Sequence, residues 1–168
     1  MRLLGAAMVA AGSGWMGWSA ATRLRRRARD LEDLAEGLAQ LCRELERDNP
    51  PLPDLMARLT GTCRGCAADL FYGCAGALDG LDREPFSAAW VRLIRERREL
   101  GADGQRALEP LGAVLGRCGL EDQRRAVELA RDRLAHLSRQ WEERWRQQGR
   151  VCLTLGLSGG AVLVILLL

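Results

Sequence analysis

Residues 24–45, LRRRARDLEDLAEGLAQLCREL, carry the pattern on which the fold depends. Leucine recurs every seven residues, and two more leucines occupy the intermediate positions: Leu24, Leu31, Leu34, Leu38, Leu41 and Leu45. These positions share one side of an α-helix and form a coiled-coil-like apolar stripe. Because proline does not continue a helix, we predict that this one ends before residues 49–53, NPPLP.

The chain beyond this helix keeps helical spacing and shows no strand-like alternation of apolar and polar residues. Five further stripes have apolar residues three and four apart, beginning at Leu55, Cys63, Phe86, Leu108 and Val127. The stripe from Leu108 is expected to run through to Cys118. We expect Asp54 and Asp103 to cap helices, Gly101 to end one, and Pro110 to kink one or start it late. Together the stripes predict an all-α antiparallel bundle of about six helices over residues 22–150.

Both ends of the chain are apolar. Leu3 to Ala21 is uncharged and, at about 1.5 Å per residue, is about long enough to cross a ~30 Å hydrocarbon core. Val151 to Leu168 is also uncharged and ends in six aliphatic residues, LVILLL at positions 163–168. We therefore predict transmembrane helices over residues 1–21 and 151–168, flanking the bundle.

Arginines lie on the inner side of both apolar segments. Residues 22–27 read TRLRRR, and Arg144, Arg146 and Arg150 precede the second segment. The positive-inside rule then places residues 22–150 in the cytoplasm. A cleaved signal peptide with its site at residues 19–21 is the alternative, but an arginine cluster directly after the apolar run favours a retained span. The cluster is also expected to contact anionic lipid through Arg23, Arg25, Arg26 and Arg27.

Composition argues against several functions. The net charge is +3 and the charges are mixed in sign, so nucleic acid is not an expected partner. There is no P-loop and no GxGxxG motif, and every one of the 25 basic residues is arginine, which leaves no lysine for catalysis. We predict no catalytic, cofactor-binding or metal-binding residues and no enzymatic activity.

Cys63 and Cys66 form the one motif that suggests metal or redox chemistry. A structural zinc site usually needs four ligands, and the remaining cysteines and His136 lie far off in sequence or on apolar stripes. Packing as small apolar side chains is the favoured interpretation. A membrane-anchored metal or redox protein using Cys63 and Cys66 stays open as an alternative.

The last apolar stripe continues towards the second apolar segment. Trp141 follows Leu134 by seven residues and Leu137 by four, so we expect it to face the core. Trp145 lies one turn further on and is expected near the membrane interface. His136 lies beside this stripe and is expected to be a solvated surface residue.

The order of these features resembles a known family. A first apolar segment is followed by the leucine helix with Pro51-Leu52-Pro53 after it, and then by a tryptophan helix. Residues 108–123, LEPLGAVLGRCGLEDQ, lead into the last helix and tail. This arrangement resembles stage III sporulation protein AB of endospore-forming bacteria over essentially the full chain.

The resemblance implies a fold similar to the cytoplasmic domain of type II secretion and type IV pilus platform proteins. It also implies a place in the mother-cell membrane facing the forespore, within a secretion-like channel complex. The expected partners are the AA protein of the same set, a secretion-type ATPase, and other membrane components of the channel. Those platform proteins usually carry two such domains and this chain has one. A generic membrane-anchored coiled-coil scaffold remains an alternative, and homo-oligomerisation stays open.

Overall fold

A computed structural model describes the backbone of residues 2–48 and 50–167, and the side chains of residues 22–48 and 50–147. All regular structure in this part of the chain is helical, which confirms the all-α prediction. The elements, in chain order, are α1 (Arg2–Asp48), α2 (Leu52–Thr62), α3 (Gly65–Leu78), α4 (Phe86–Glu96), a 3-10 turn (Arg98–Leu100), α5 (Gly101–Leu108), α6 (Leu111–Val114) and α7 (Leu120–Leu167).

The chain divides into two compact units. The helical unit is Arg27–Arg139, and the end unit combines Met1–Arg26 with Gln140–Leu168. The transmembrane helices predicted over residues 1–21 and 151–168 lie outside the residues whose side chains are described. Among the described residues, no helix combines the length and apolarity needed to cross a membrane.

The leucine repeat forms the core of the helical unit, as predicted. Five of its leucines are at most 2% exposed: Leu31, Leu34, Leu38, Leu41 and Leu45. Leu24 belongs to the end unit and is half-buried. α1 ends at Asp48, directly before the prolines. Each fully buried leucine contributes about 1.5–3 kcal/mol, so this helix supplies a large share of the stability.

α1 lies between α3 on one side and α7 on the other. A Cβ atom at Gly37 would lie 2.8 Å from the Ala67 Cβ, so α3 approaches α1 at this glycine. On the α7 side, the Ser138 hydroxyl donates to the Ala28 carbonyl at 2.9 Å. Gly37 follows Ala28 by nine residues, about two and a half turns, which places these contacts on opposite sides of α1.

Three of the expected helix ends differ in the structure. Pro51, not Asp54, is the N-cap of α2, and Asp54 lies in its first turn. α4 ends at Glu96, and Gly101 begins α5 instead of ending the preceding helix. Gly101 has φ +65°, and a Cβ there would overlap the Arg27 guanidinium. Asp103 makes no side-chain cap.

Pro110 splits the fifth predicted helix, whose stripe begins at Leu108. α5 ends at Leu108 and Pro110 is the N-cap of the short α6, which confirms the late start. The stripe expected to run through Cys118 stops at Leu115, because α6 ends at Val114 and the chain turns there. Leu115 is buried and Cys118 is exposed, so the prediction for Cys118 was wrong.

The buried side of α7 differs slightly from the predicted one. Its buried residues are Gln123, Val127, Ala130, Leu134 and Ser138. Ser138 is 8% exposed and satisfies its hydroxyl on α1, whereas Leu137 is half-buried. Trp141 is also only half-buried, so it is less buried than the prediction that it faces the core implies. Trp145 is half-buried as well.

A candidate docking groove on α4

The inner side of α4 is fixed by an aromatic anchor. Trp90 is fully buried, and its indole Nε1 donates to the Leu108 carbonyl at 2.9 Å. That carbonyl ends α5, so the indole satisfies a group that a helix end leaves unpaired. A Cβ atom at Gly112 would lie 2.6 Å from the Trp90 Cδ1, which shows how closely α6 covers the ring. The Trp90 side chain therefore fixes the inner side of α4 through an apolar contact with α6 and a hydrogen bond to the end of α5.

The outer side of α4 lines a shallow groove of about 900 Å³. Its lining combines small, apolar and charged side chains: Ser87, Ala88, Val91, Arg92, Arg95, Glu96 and Arg98. We call this surface the α4 groove. It follows from the helix itself, because the residues between the buried positions Phe86, Ala89, Trp90 and Ile94 must face outwards.

Ion pairs arrange the charges of the α4 groove. Arg92 contacts Glu84 at 3.0 Å and Glu96 at 3.5 Å, and Arg95 contacts Glu109 at 3.2 Å. The hydrogen bond to Glu84 and the charge of that carboxylate raise the pKa of Arg92. Exposed pairs of this kind add little stability, about 0–1 kcal/mol each. Their main consequence is that guanidinium groups are held in place at the surface.

Arg98 completes the basic character of the groove. It forms no ion pair with any residue of the described part of the chain, and it is exposed. The neighbouring Arg97 is half-buried and contacts Glu99 at 3.8 Å. The groove therefore offers Arg98 as a free guanidinium beside two paired ones, which suits an acidic partner segment.

Gln105 was missed by sequence reasoning, although it shapes this end of α4. Its side-chain amide donates to the carbonyl oxygens of Ile94 at 3.3 Å and Arg97 at 3.1 Å. These carbonyls lie at the C-terminal end of α4 and each also accepts a backbone N–H, from Arg97 and Leu100 respectively, so the amide adds a second hydrogen bond to each. A lone glutamine within a helix has no pattern that would have revealed this contact.

Cys63 and Cys66 do not form an exposed thiol pair. Cys66 is buried on the inner side of α3, and burial raises the pKa of its thiol to about 11. Cys63 precedes the helix, is half-buried, and also has a thiol pKa raised by burial. Metal binding and redox chemistry both need the thiolate, which these environments disfavour. Within residues 22–48 and 50–147, no three His, Cys, Asp or Glu side chains are grouped to hold a metal ion.

His136 lines a second, smaller groove of about 280 Å³. The other lining residues are Asp103, Arg106, Ala107, Arg133 and Leu137. Asp103 pairs with Arg106 at 2.6 Å, and the lining includes no hydroxyl or thiol nucleophile. His136 is exposed, which confirms its predicted surface position.

The four arginines expected to contact lipid do not share one environment. Arg23, Arg25 and Arg26 are exposed, and the Arg25 guanidinium lies over the Trp145 ring at 5.2 Å from its centroid. Arg27 is half-buried, with its guanidinium against Gly101 in the helical unit. Arg27 therefore also serves the packing of α5 on α1.

Comparison with known proteins identifies the family. The family model described as stage III sporulation protein AB matches residues 2–168. The chain belongs to the stage III sporulation protein AB family. This confirms the resemblance seen in the sequence and assigns the chain to sporulation. No curated protein and no solved structure matches it.

Proposed function

We propose that this member of the stage III sporulation protein AB family is a non-enzymatic membrane platform. In this proposal it belongs to a secretion-like channel complex between mother cell and forespore, and lies in the mother-cell membrane. Its helical unit holds a cytoplasmic secretion-type ATPase, the AA protein of the same sporulation set, against the membrane assembly. The α4 groove is the observation that carries this proposal.

The α4 groove suits protein docking better than small-molecule binding. It is shallow, and ion pairs hold Arg92 and Arg95 in place at its surface, while Arg98 is free to meet a partner. Trp90 beneath it fixes the helix, so a partner would meet a preformed surface and little ordering would be needed on binding. Arginine is also a frequent source of binding energy at interfaces. We propose that Arg95 and Arg98 contact acidic residues of the ATPase.

The membrane part of the proposal depends on the two apolar ends. With residues 1–21 and 151–168 as spans, the arginines that flank them keep the helical unit in the cytoplasm with the ATPase. Arg23, Arg25 and Arg26 would then contact anionic lipid, at about 1 kcal/mol each near the surface. Cys118 is exposed and allows a direct test of this topology.

Labelling of intact and permeabilised cells tests the topology. A membrane-impermeant maleimide should modify Cys118 only after permeabilisation, whereas a tag fused after Leu168 should be accessible from outside. Labelling of Cys118 in intact cells, or a mature protein that starts near Thr22, would overturn the proposed topology.

Copurification from sporulating cells tests the docking. We expect the ATPase to copurify with the full chain, and Arg95→Glu/Arg98→Glu to remove most of it and to lower the spore yield. The matched control, Arg43→Glu/Arg117→Glu, reverses two arginines that are exposed and lie outside the groove. Equal ATPase recovery with the two double variants would contradict docking at the α4 groove.

A further inference from the structure

The outer side of α3 differs in character from the arginine-rich surface around it. Tyr72 is 72% exposed and lies opposite the buried residues of the helix. Ala68 and Gly76 lie one turn to either side of it, and Leu81, just after the helix, is 49% exposed. We call this surface the α3 face. Tyr72, Leu81 and Leu129 are the large apolar side chains that are exposed in the described part of the chain.

Acidic residues border the α3 face. Asp69 lies three residues before Tyr72, and Asp79 seven residues after it, so both share the outward side of the helix. Neither forms an ion pair within the described part of the chain. A Cβ atom at Gly76 would meet nothing within 4 Å, which leaves room there for the close approach of another helix.

A second exposed leucine lies on α7 between two unpaired arginines. Leu129 is 54% exposed, and Arg125 and Arg133 lie four residues before and after it. Both arginines are exposed, and among the described residues neither has an ion-pair partner. We call this surface the α7 face. Asp132 and Asp122 lie on the same side, three residues after Leu129 and seven before it. Asp132 pairs with Arg131 at 2.8 Å, so the unpaired charges of this face are Arg125, Arg133 and Asp122, a net positive set.

The two faces lie on opposite sides of the helical unit. α3 packs against α1 at Gly37, and α7 packs against the other side of α1 at Ala28. Glu46 follows Ala28 by eighteen residues, about five turns, and also contacts α7, through Arg124 at 3.4 Å. Because α1 separates the two faces, they cannot cover each other within one chain.

We propose that copies of this chain associate head to tail, with the α3 face of one copy against the α7 face of the next. Tyr72 then covers Leu129, and the acids of one face meet the arginines of the other. Asp69 and Asp79 are about 15 Å apart along α3, and Arg125 and Arg133 about 12 Å apart along α7, so each arginine reaches one acid. Such an interface repeats from copy to copy and forms a ring or an open chain. The α4 groove shares no residue with either face, so ATPase docking and self-association are independent.

Mixing two variants of the full chain tests this interface. Tyr72→Glu disables the α3 face and leaves the α7 face intact, and Leu129→Glu does the reverse. In sedimentation velocity of detergent-solubilised full chains, we expect the wild type to form larger species as its concentration rises. Each variant alone should associate about tenfold or more weakly, while an equimolar mixture should form a one-to-one pair and grow no further.

Ala113→Glu places the same charge on an exposed residue of α6 outside both faces and should associate as the wild type does. The proposal is overturned if the wild type stays monomeric, if either variant associates like the wild type, or if the mixture fails to pair. Helical circular dichroism of each variant checks that the fold is kept.

A charge exchange tests the orientation of the interface. Asp69→Arg/Asp79→Arg should not self-associate, and Arg125→Asp/Arg133→Asp should not either. Combining all four changes in one chain restores opposite charges across the interface and should recover association to within about tenfold of the wild type. Failure of the combined variant, with its fold intact, would contradict the proposed pairing of the two faces.

Discussion

α3 and α4 pack against each other, yet they present different surfaces. Each directs a fully buried aromatic residue inwards, Phe71 from α3 and Trp90 from α4. Outwards, α4 carries ion-paired arginines along a groove, whereas α3 carries an exposed tyrosine between small residues. The inner sides of both helices thus stabilise the core. The outer side of α4 is the proposed docking surface for the ATPase, and the outer side of α3 is the proposed surface for association of copies.

The largest effect should come from the buried aromatic residue of α4. Trp90→Ala removes a fully buried ring and its hydrogen bond, and we expect a loss of about 3–5 kcal/mol in the free energy of unfolding. Tyr72→Ala, on the outer side of α3, should change that free energy by at most about 0.5 kcal/mol. Urea unfolding of both variants gives the comparison. Similar losses would show that the inner and outer sides are wrongly assigned.

Glycines next to these helices should respond with opposite signs. Gly112→Ala places a Cβ against the Trp90 ring, and overpacking of this kind costs about 1–3 kcal/mol. Gly76→Ala enters open space within α3 and should add about 0.5–1 kcal/mol, because alanine favours helix. Thermal unfolding midpoints should therefore move down for the first variant and up for the second. Two shifts of the same sign would argue against the close contact of α4 with α6.

Trp141 offers an intermediate case. It is half-buried, and the Arg144 guanidinium lies over its ring at 4.9 Å from the centroid. Trp141→Ala should therefore cost about 1–2 kcal/mol, less than Trp90→Ala. Denaturation of the full chain in one detergent allows both losses to be measured together. A loss equal to that of Trp90→Ala would restore the original expectation that Trp141 belongs to the core.

A further difference concerns the inner side of α3 and depends on pH. Burial raises the pKa of Cys66 to about 11 and of Cys74 to about 12, from an ordinary value of 9.0. The unfolded chain therefore loses these protons first, so stability is kept below pH 9 and declines as the pH rises from 9 towards 12. Cys66→Ala/Cys74→Ala should make this decline shallower. An unchanged slope in urea unfolding between pH 8 and 10.5 would contradict the burial of these thiols.

Repeats and prolines predicted much of this fold. The spacing of Leu31, Leu38 and Leu45 identified the central helix, and the prolines of residues 49–53 marked its end. Such patterns are visible in sequence because they are periodic or because proline acts locally. The family, too, was evident from the order of these features.

Contacts between distant residues were not predictable in this way. Gly101 resembles a helix end in sequence, but its contact with Arg27 places it at a helix start. Gln105 caps α4 from a neighbouring helix, and the α4 groove depends on pairs such as Arg95 with Glu109. None of these has a local signal, because each arises only when separate helices meet.

The most direct test of the platform role is equilibrium binding of the purified secretion-type ATPase to vesicles that carry the full chain. We expect saturable binding that Arg95→Glu/Arg98→Glu weakens about tenfold or more, while Arg43→Glu/Arg117→Glu leaves it unchanged. Binding to empty vesicles at the same level, or an unchanged affinity with the groove variant, would contradict the account.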